Sequence, residues 1–214
     1  MIIAIDGPAG SGKTTVAKLL SKRLGIFYLD TGATYRALTL AVLTSGIDLA
    51  DQVAVLLCAR ALNLRLEGEK VYLDGREVTA DIRAPRIDKN ISVVVKDPSV
   101  REVMVALQRT IASGRDVVVE GRDITTVVFP NAEFKFYLDA DPGARVHRRF
   151  AEFNEKKIEA NLDEVTQDLT KRDYADKNRD VGALRVSPEA VYIDTTHIEI
   201  EGVLEKILTY IQHG

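Results

Sequence analysis

The chain has one cysteine in 214 residues, three histidines and no excess of positive charge. Each scarcity excludes a class of function. A single thiol, Cys58, can form no intramolecular disulfide and supplies no cysteine-rich metal site. It lies in the apolar stretch Val53–Leu62, which reads as buried. His147, His197 and His213 are scattered and show no ligand spacing, so no metal cage is expected of them. A net charge of −3 offers no global field for nucleic acid or an anionic membrane, so any hold on phosphate must come from local clusters. No apolar run approaches membrane-spanning length, and the chain goes straight into a strand at Met1–Ile5, which predicts no signal peptide. These readings lead us to expect a cytoplasmic monomer in a reduced compartment, with neither nucleic acid nor membrane as partner. What is present is ample for one core with room for insertions: 46% of residues are hydrophobic and 29% charged.

The most informative stretch is Gly7-Pro8-Ala9-Gly10-Ser11-Gly12-Lys13-Thr14. It matches the phosphate-loop pattern G-x-x-x-x-G-K-[ST]. It also sits between an apolar run that reads as a strand, Met1–Ile5, and a segment that reads as a helix, Thr14–Leu24. That context separates a working loop from a chance string. Glycines let the backbone curl so that several N–H groups point at one anion, and the helix N-terminus adds its dipole. Lys13 is placed to reach the outer phosphates of a nucleoside triphosphate, and the Thr14 hydroxyl to bind Mg²⁺.

Strands and helices alternate along the chain. Ile26–Leu29 reads as a strand, Thr34–Ser45 and Asp51–Leu62 as helices. Asn63–Thr79 changes character. Its short apolar alternations are broken by Glu67-Gly68 and Asp74-Gly75, which predicts a small antiparallel insert. A helix over Pro98–Ala112 and strands at Asp116–Glu120 and Glu133–Leu138 follow. A helix begins at Asp141-Pro142 and another spans Leu162–Tyr174. Val191–Asp194 and Ile200–Ile211 form the last strand and helix. The expected fold class is α/β: a three-layer α/β/α sandwich with a parallel core sheet, its ligands at the carboxyl ends of the strands.

A phosphate loop does not say what receives the phosphate. Four further segments stand out. Leu29-Asp30-Thr31-Gly32-Ala33-Thr34-Tyr35-Arg36 and Glu120-Gly121-Arg122-Asp123 each follow a strand. Ala144-Arg145-Val146-His147-Arg148-Arg149 lies early in a helix. Lys171 to Arg179 is a dense mixed-charge run with no apolar periodicity after Tyr174. The planar arginine fork suits phosphoryl oxygens, and phosphoryl transfer needs alignment and charge neutralisation more than covalent help. Arg145 also has Asp141 and Glu152 within helical reach. From spacing alone, Arg172, Asp176 and Arg179 read equally as a charged helix end.

At these residues the chain resembles the bacterial cytidylate kinases. The matching pieces are Ile5-Asp6-Gly7-Pro8, Leu29 to Ala33 with Tyr35-Arg36, Gly121-Arg122-Asp123 with Thr126-Val127-Val128-Phe129-Pro130, His147-Arg148-Arg149, and Arg172-Asp173 with Asp176 and Asn178-Arg179. They run in the family's order over almost the whole length. The block from Gly121 to Pro130 is the most specific. Glu120 stands where many relatives have Asp, and Thr14 is followed by Thr15, a pair the family tolerates.

The resemblance implies a nucleoside-monophosphate kinase fold in one domain. Its core would comprise residues 1–49, 87–144 and 162–214, with a monophosphate-binding insert at about 50–86 and a helical lid at about 145–161. It implies transfer of the ATP γ-phosphate to CMP or dCMP, with Mg²⁺. ATP would be held by Gly7 through Thr15 and by Arg145, Arg148 and Arg149. Arg36, Arg122 and Arg179 would hold the CMP phosphate. Ser92, Arg101 and Asp123 would read cytosine, Arg172 and Asp176 would touch the sugar, and Asp30, Thr31 and Tyr35 would shape the pocket. Lys13, Arg122, Arg148 and Arg179 would carry the transfer itself, and Thr14 the metal. Ser92 and Arg101 carry no local motif. One rival is a kinase for another small acceptor. Another is a GTP-dependent switch, which needs an Asn-Lys-x-Asp guanine reader; Thr170-Lys171-Arg172-Asp173 only mimics one.

Overall fold

The computed structural model describes residues 1–155 and 159–213. Two compact units emerge, Met1–Ile26 with Val117–Gly214, and Phe27–Asp116. The first unit opens with strand β1 (Ile2–Asp6) and helix α1 (Lys13–Leu24). The second holds β2 (Phe27–Asp30), α2 (Thr31–Thr44), α3 (Gln52–Arg60), β3 (Leu64–Glu67), β4 (Lys70–Leu73), β5 (Arg76–Glu77), α4 (Pro85–Val94) and α5 (Pro98–Ala112). The chain then completes the first unit with β6 (Val117–Gly121), β7 (Phe134–Asp139), α6 (Pro142–Glu155), α7 (Leu162–Lys177), β8 (Val191–Asp194) and α8 (Ile200–His213). The five-stranded parallel sheet has the order β2-β6-β1-β7-β8.

In the first unit β1 lies between β6 and β7, and β7 pairs with β8, all parallel. The strands of a parallel sheet are covered by helices on both faces, which is why β6 reads Val-Val-Val and is buried throughout. The register sets Asp6 opposite Gly121 on one side and Tyr137 on the other. The strands therefore run out at one level, and the loops that follow them open at the carboxyl end of the sheet.

In the second unit the expected antiparallel insert is present. Leu64 faces Leu73 and Glu67 faces Lys70 in a three-stranded sheet. Asp74 and Gly75 both have positive φ, 50° and 80°, as a tight hairpin turn demands. Val71 and Val78 from this sheet pack with Ile82, Ile87 and Leu40.

Three local expectations change. The second helix begins at Thr31 rather than Thr34, because the Asp30 carboxylate accepts from Ala33 N at 2.9 Å and caps it. A helix not expected from sequence, α4, starts at Pro85 and turns Ile87 and Val94 into the core. Between β6 and β7 the chain makes a single wide turn, Ile124–Val128, with Phe129 N bonded to Ile124 O at 2.7 Å. Residues 156–158 of the expected lid lie outside the described residues, and α6 runs unbroken from Pro142 to Glu155 ahead of them.

Candidate active site

The loop from Gly7 to Gly12 joins β1 to α1. It passes so close to β7 that a Cβ on Gly7 would sit 2.1 Å from the Leu138 carbonyl oxygen, so no side chain fits there. Gly12 turns the chain into α1 with φ 87°. Asp or Asn side chains cap α2, α3, α5 and α7, whereas α1 has no side-chain cap and no acid in its first turn. Its leading N–H groups and positive dipole end are thus left for an anion.

Lys13 and Thr14 meet β6 here. The Thr14 hydroxyl donates to Glu120 Oε1 at 2.8 Å, and Lys13 Nζ lies 3.9 Å from Glu120 Oε2 while donating to Pro8 O at 3.1 Å. Burial pushes the Lys13 pKa down to about 7, and the Arg122 charge adds to the shift while Glu120 opposes it. The buried Lys13 and the half-buried Arg122 sit within electrostatic reach of each other.

Arg122 follows β6 and is held by α7. Its Nε donates to Asp176 Oδ2 at 2.7 Å, and Arg179 pairs with the other oxygen of the same carboxylate. Asp176 is 1% exposed. Burial acts to raise its pKa, but Arg122, Arg179 and Arg172 outweigh it and hold the carboxyl below its ordinary value. The run at the end of α7 is therefore split: Lys171, Lys177 and Asn178 are exposed, while Asp176 is buried with the half-buried Arg122, Arg172 and Arg179 about it. Asp123, next to Arg122, is also buried. The turn after it is fastened by Asp6, whose carboxylate accepts from Ile124 N and Thr125 N, each at 2.8 Å, and from Thr125 Oγ1 at 2.6 Å.

Helix α6 leans on the phosphate loop. Arg145 is buried and donates to Ala9 O and Ala140 O, each at 3.1 Å, and its partner is Asp173 at 2.7 Å, neither Asp141 nor Glu152. Gly10 leaves room for α6, since a Cβ there would sit 3.0 Å from that of Arg145. Arg148 reaches Gly10 O at 3.4 Å and Thr195 Oγ1 at 3.0 Å. Arg149 lies over the Phe153 ring and pairs with Glu152 at 2.7 Å. Ala9 packs with Val165, Leu169 and Phe150, so loop, α6 and α7 share one apolar seam.

The second unit carries the remaining expected residues. Thr31 opens α2. Its carbonyl accepts from Thr34 Oγ1 at 2.7 Å, which accepts in turn from the buried Gln108 at 2.9 Å. Arg101, 2% exposed, stands over the Tyr35 ring at 5.2 Å. Arg36 pairs with Asp88 on α4 at 2.6 Å. Ser92 lies exposed on α4.

A profile described as cytidylate kinase matches residues 3–213. The chain is 48% identical over 205 residues to a cytidylate kinase of Caldanaerobacter subterraneus subsp. tengcongensis, covering 96% of this chain and 92% of that one. It is 44% identical over 210 residues to one of Alkaliphilus oremlandii, covering 98% and 97%. The chain belongs to the cytidylate kinase family. Among solved structures, a shikimate kinase of Bacteroides thetaiotaomicron aligns over 99% of this chain and 98% of its own. Its TM-score is 0.51 at 13% identity, so that likeness shows the fold alone.

Within this member of the cytidylate kinase family, several residues work through others and went unnoticed as such in the sequence. Asp173 holds Arg145, Thr195 takes Arg148, Gln108 braces the start of α2 and Asp6 fastens the turn after Asp123. Asp6 did leave a signal, an acid closing an otherwise apolar strand. A divalent cation fits beside Thr14: the hydroxyl and the Glu120 carboxylate are adjacent hard oxygens, as Mg²⁺ prefers. Among the described residues no cluster of three acidic, histidine or cysteine side chains could hold a metal. This suits an ion that takes most of its shell from phosphates and water.

Proposed function

We infer that this enzyme transfers the γ-phosphate of ATP to CMP or dCMP, giving ADP and CDP or dCDP. Cytidylate kinase activity follows from the family and from relatives that match along nearly the whole chain. One observation carries the chemistry: at the uncapped start of α1 the buried Lys13 holds its proton weakly, because burial and the charge of the half-buried Arg122 both act against it. A polyanion relieves that repulsion, and a triphosphate meeting a monophosphate supplies the charge.

The roles are proposed as follows. The loop N–H groups and Lys13 hold the β- and γ-phosphates. Arg122 and Arg179, fixed by Asp176, hold the CMP phosphate, a role the family resemblance also gives Arg36. Asp123 and Arg101 read cytosine, whose amine donates and whose ring nitrogen accepts. Ser92, Arg172, Asp30, Thr31 and Tyr35 keep the positions the resemblance gives them. A CMP phosphate oxygen forms the new bond to the γ-phosphorus as the bond from that phosphorus to the ADP oxygen breaks. The attacking oxygen is already anionic, so no general base is needed. Thr14 and Glu120 would hold Mg²⁺, which would supply charge neutralisation for the phosphates. Arg148 stabilises the migrating group. A lid at about 145–161, an insert at about 50–86 and a core made of the rest complete the proposed organisation. A cytoplasmic monomer is the proposed state; no helix among the described residues is long and apolar enough to cross a membrane.

A coupled assay with ATP and Mg²⁺ across CMP, dCMP, UMP, AMP and dTMP tests the reading. CMP and dCMP are expected to exceed the others by orders of magnitude. Comparable turnover of UMP or dTMP would overturn the cytosine assignment, and preferential binding of GTP would favour a switch protein.

A further inference from the structure

The geometry points to Asp6 as the positioning residue that holds Asp123, the proposed cytosine reader beside Arg122, in its working conformation. Asp6 closes β1 and immediately precedes the phosphate loop. Its side chain does not enter the loop. Both carboxylate oxygens are taken up by the turn on the far side of Asp123, through two backbone N–H groups and the Thr125 hydroxyl. That turn is an uncommon one. Val127 N and Val128 N both bond to the Asp123 carbonyl, at 2.8 and 3.0 Å, and Asp123 itself provides no side-chain cap. Single wide turns of this kind place the preceding backbone in a conformation that few local interactions sustain. The leading N–H groups of such a turn need an acceptor, and a carboxylate is the strongest one a side chain can supply.

Asp6 is 0% exposed. Burial raises its pKa to about 6, against the pull of its three donors. An ionised carboxylate at that depth works against stability at neutral pH. It is explained by what it holds. The turn begins at Asp123, and Arg122 is already anchored from the other side by Asp176. With Asp6 in place both ends of the segment are fixed. Because Asp6 adjoins Gly7, the anchor also ties the cytosine reader to the strand that carries the phosphate loop.

This inference rests on the proposed role of Asp123 and is tested with it in one double-mutant cycle. Asp6→Asn, Asp123→Ala and the double variant are compared for KM of CMP, KM of ATP and the CMP-to-UMP preference. Asp6→Asn removes one charge-assisted acceptor and is expected to raise the KM of CMP about tenfold or more while moving that of ATP less than about twofold. The double variant is expected to be hardly worse than Asp123→Ala alone, because Asp6 acts through Asp123. Additive losses, or a KM of ATP that rises in step, overturn the assignment and make Asp6 a purely structural residue. Should Asp123→Ala leave the preference unchanged, the Asp123 reading fails instead, whatever Asp6 does. Thr125→Val, which removes only the hydroxyl donor, runs the same cycle with a smaller expected effect of about threefold and serves if Asp6→Asn does not fold.

Discussion

Glu120 accepts a hydrogen bond from the Thr14 hydroxyl at 2.8 Å. The same carboxylate is the acid that faces the Lys13 ammonium, and its charge raises the Lys13 pKa against burial. The residue before the Gly-Arg-Asp block thus reaches back to the phosphate loop. Glu120→Gln keeps the size and removes the charge. Turnover is expected to fall about tenfold or more, a hydrogen bond to a charged group being worth ~1.5–3 kcal/mol. Lys13 should then lose its proton at lower pH, so part of the loss should return as the assay is made more acid. An unshifted profile of kcat/KM for ATP against pH would show that Glu120 does not govern the Lys13 charge.

Lys13 itself predicts a proton movement. With its pKa near 7 in the free protein, it is mostly neutral at pH 8. The unfolded chain binds the proton up to about 10.5, so the stability that Lys13 contributes is present at high pH and lost as pH falls from there through 7. A bound triphosphate favours the charged form. ATP binding at pH 8 is therefore expected to take up close to one proton, measured by calorimetry in buffers of different ionisation enthalpy. Lys13→Ala should abolish both the uptake and turnover. Uptake that persists in the folded variant assigns the proton to another group.

The sheet, the phosphate loop and the antiparallel insert were legible because each has a local cause: a run of β-branched residues, a helix entry without a cap, an Asp-Gly turn. Helix α4 was not. Its apolar residues Ile87, Ile91 and Val94 keep helical spacing, but Arg-Ile-Asp-Lys-Asn looks like a polar loop until the insert packs on it. Gly121-Arg122-Asp123 could be picked out as a candidate site, whereas its supports could not. Asp6 is 118 residues away in sequence from Ile124, and Asp176 is 54 from Arg122. Only tertiary structure brings such acids to their donors, and their signal is at most a charge in an apolar strand. Lys171 to Arg179 was ambiguous for the same reason, since burial of Asp176 is what separates a charge cluster from a solvated helix end.

Arg145 and Arg148, three residues apart on α6, should respond differently to loss. Arg145 is buried, paired with Asp173 and bonded to two carbonyls of the unit that carries the loop. Removing one partner of a buried pair typically costs ~3–5 kcal/mol, so Arg145→Ala is expected to lower stability by about that much, read from urea unfolding. Arg148 is only partly buried. Arg148→Ala should leave stability within about 1 kcal/mol and lower turnover far more than it weakens CMP binding without ATP, since a group that acts on the migrating phosphate acts in the ternary state. Equal losses in turnover and in CMP binding would place Arg148 in ground-state binding or in the fold.

Asp123 and Arg122 are neighbours whose proposed jobs are separable. Arg122 is turned towards Asp176 and the Lys13 cluster, where phosphate charge belongs. Asp123 is buried at the start of the turn that Asp6 fastens. A carboxylate can accept from the cytosine amine. Uracil presents an oxygen at that position, which repels the carboxylate instead of donating to it, and mismatches of this kind cost factors of about 10⁴. Asp123→Ala removes the partner that only cytosine can use. Activity on CMP is expected to fall steeply, activity on UMP far less, and the preference ratio to collapse. Arg122→Ala removes a contact that both nucleotides make through the same phosphate, so it should weaken both alike and leave the ratio standing. The two variants are compared by kcat/KM for CMP and UMP at saturating ATP. An Asp123 variant with its preference intact would mean that cytosine is read elsewhere and that Asp123 serves to orient Arg122 or to start the turn.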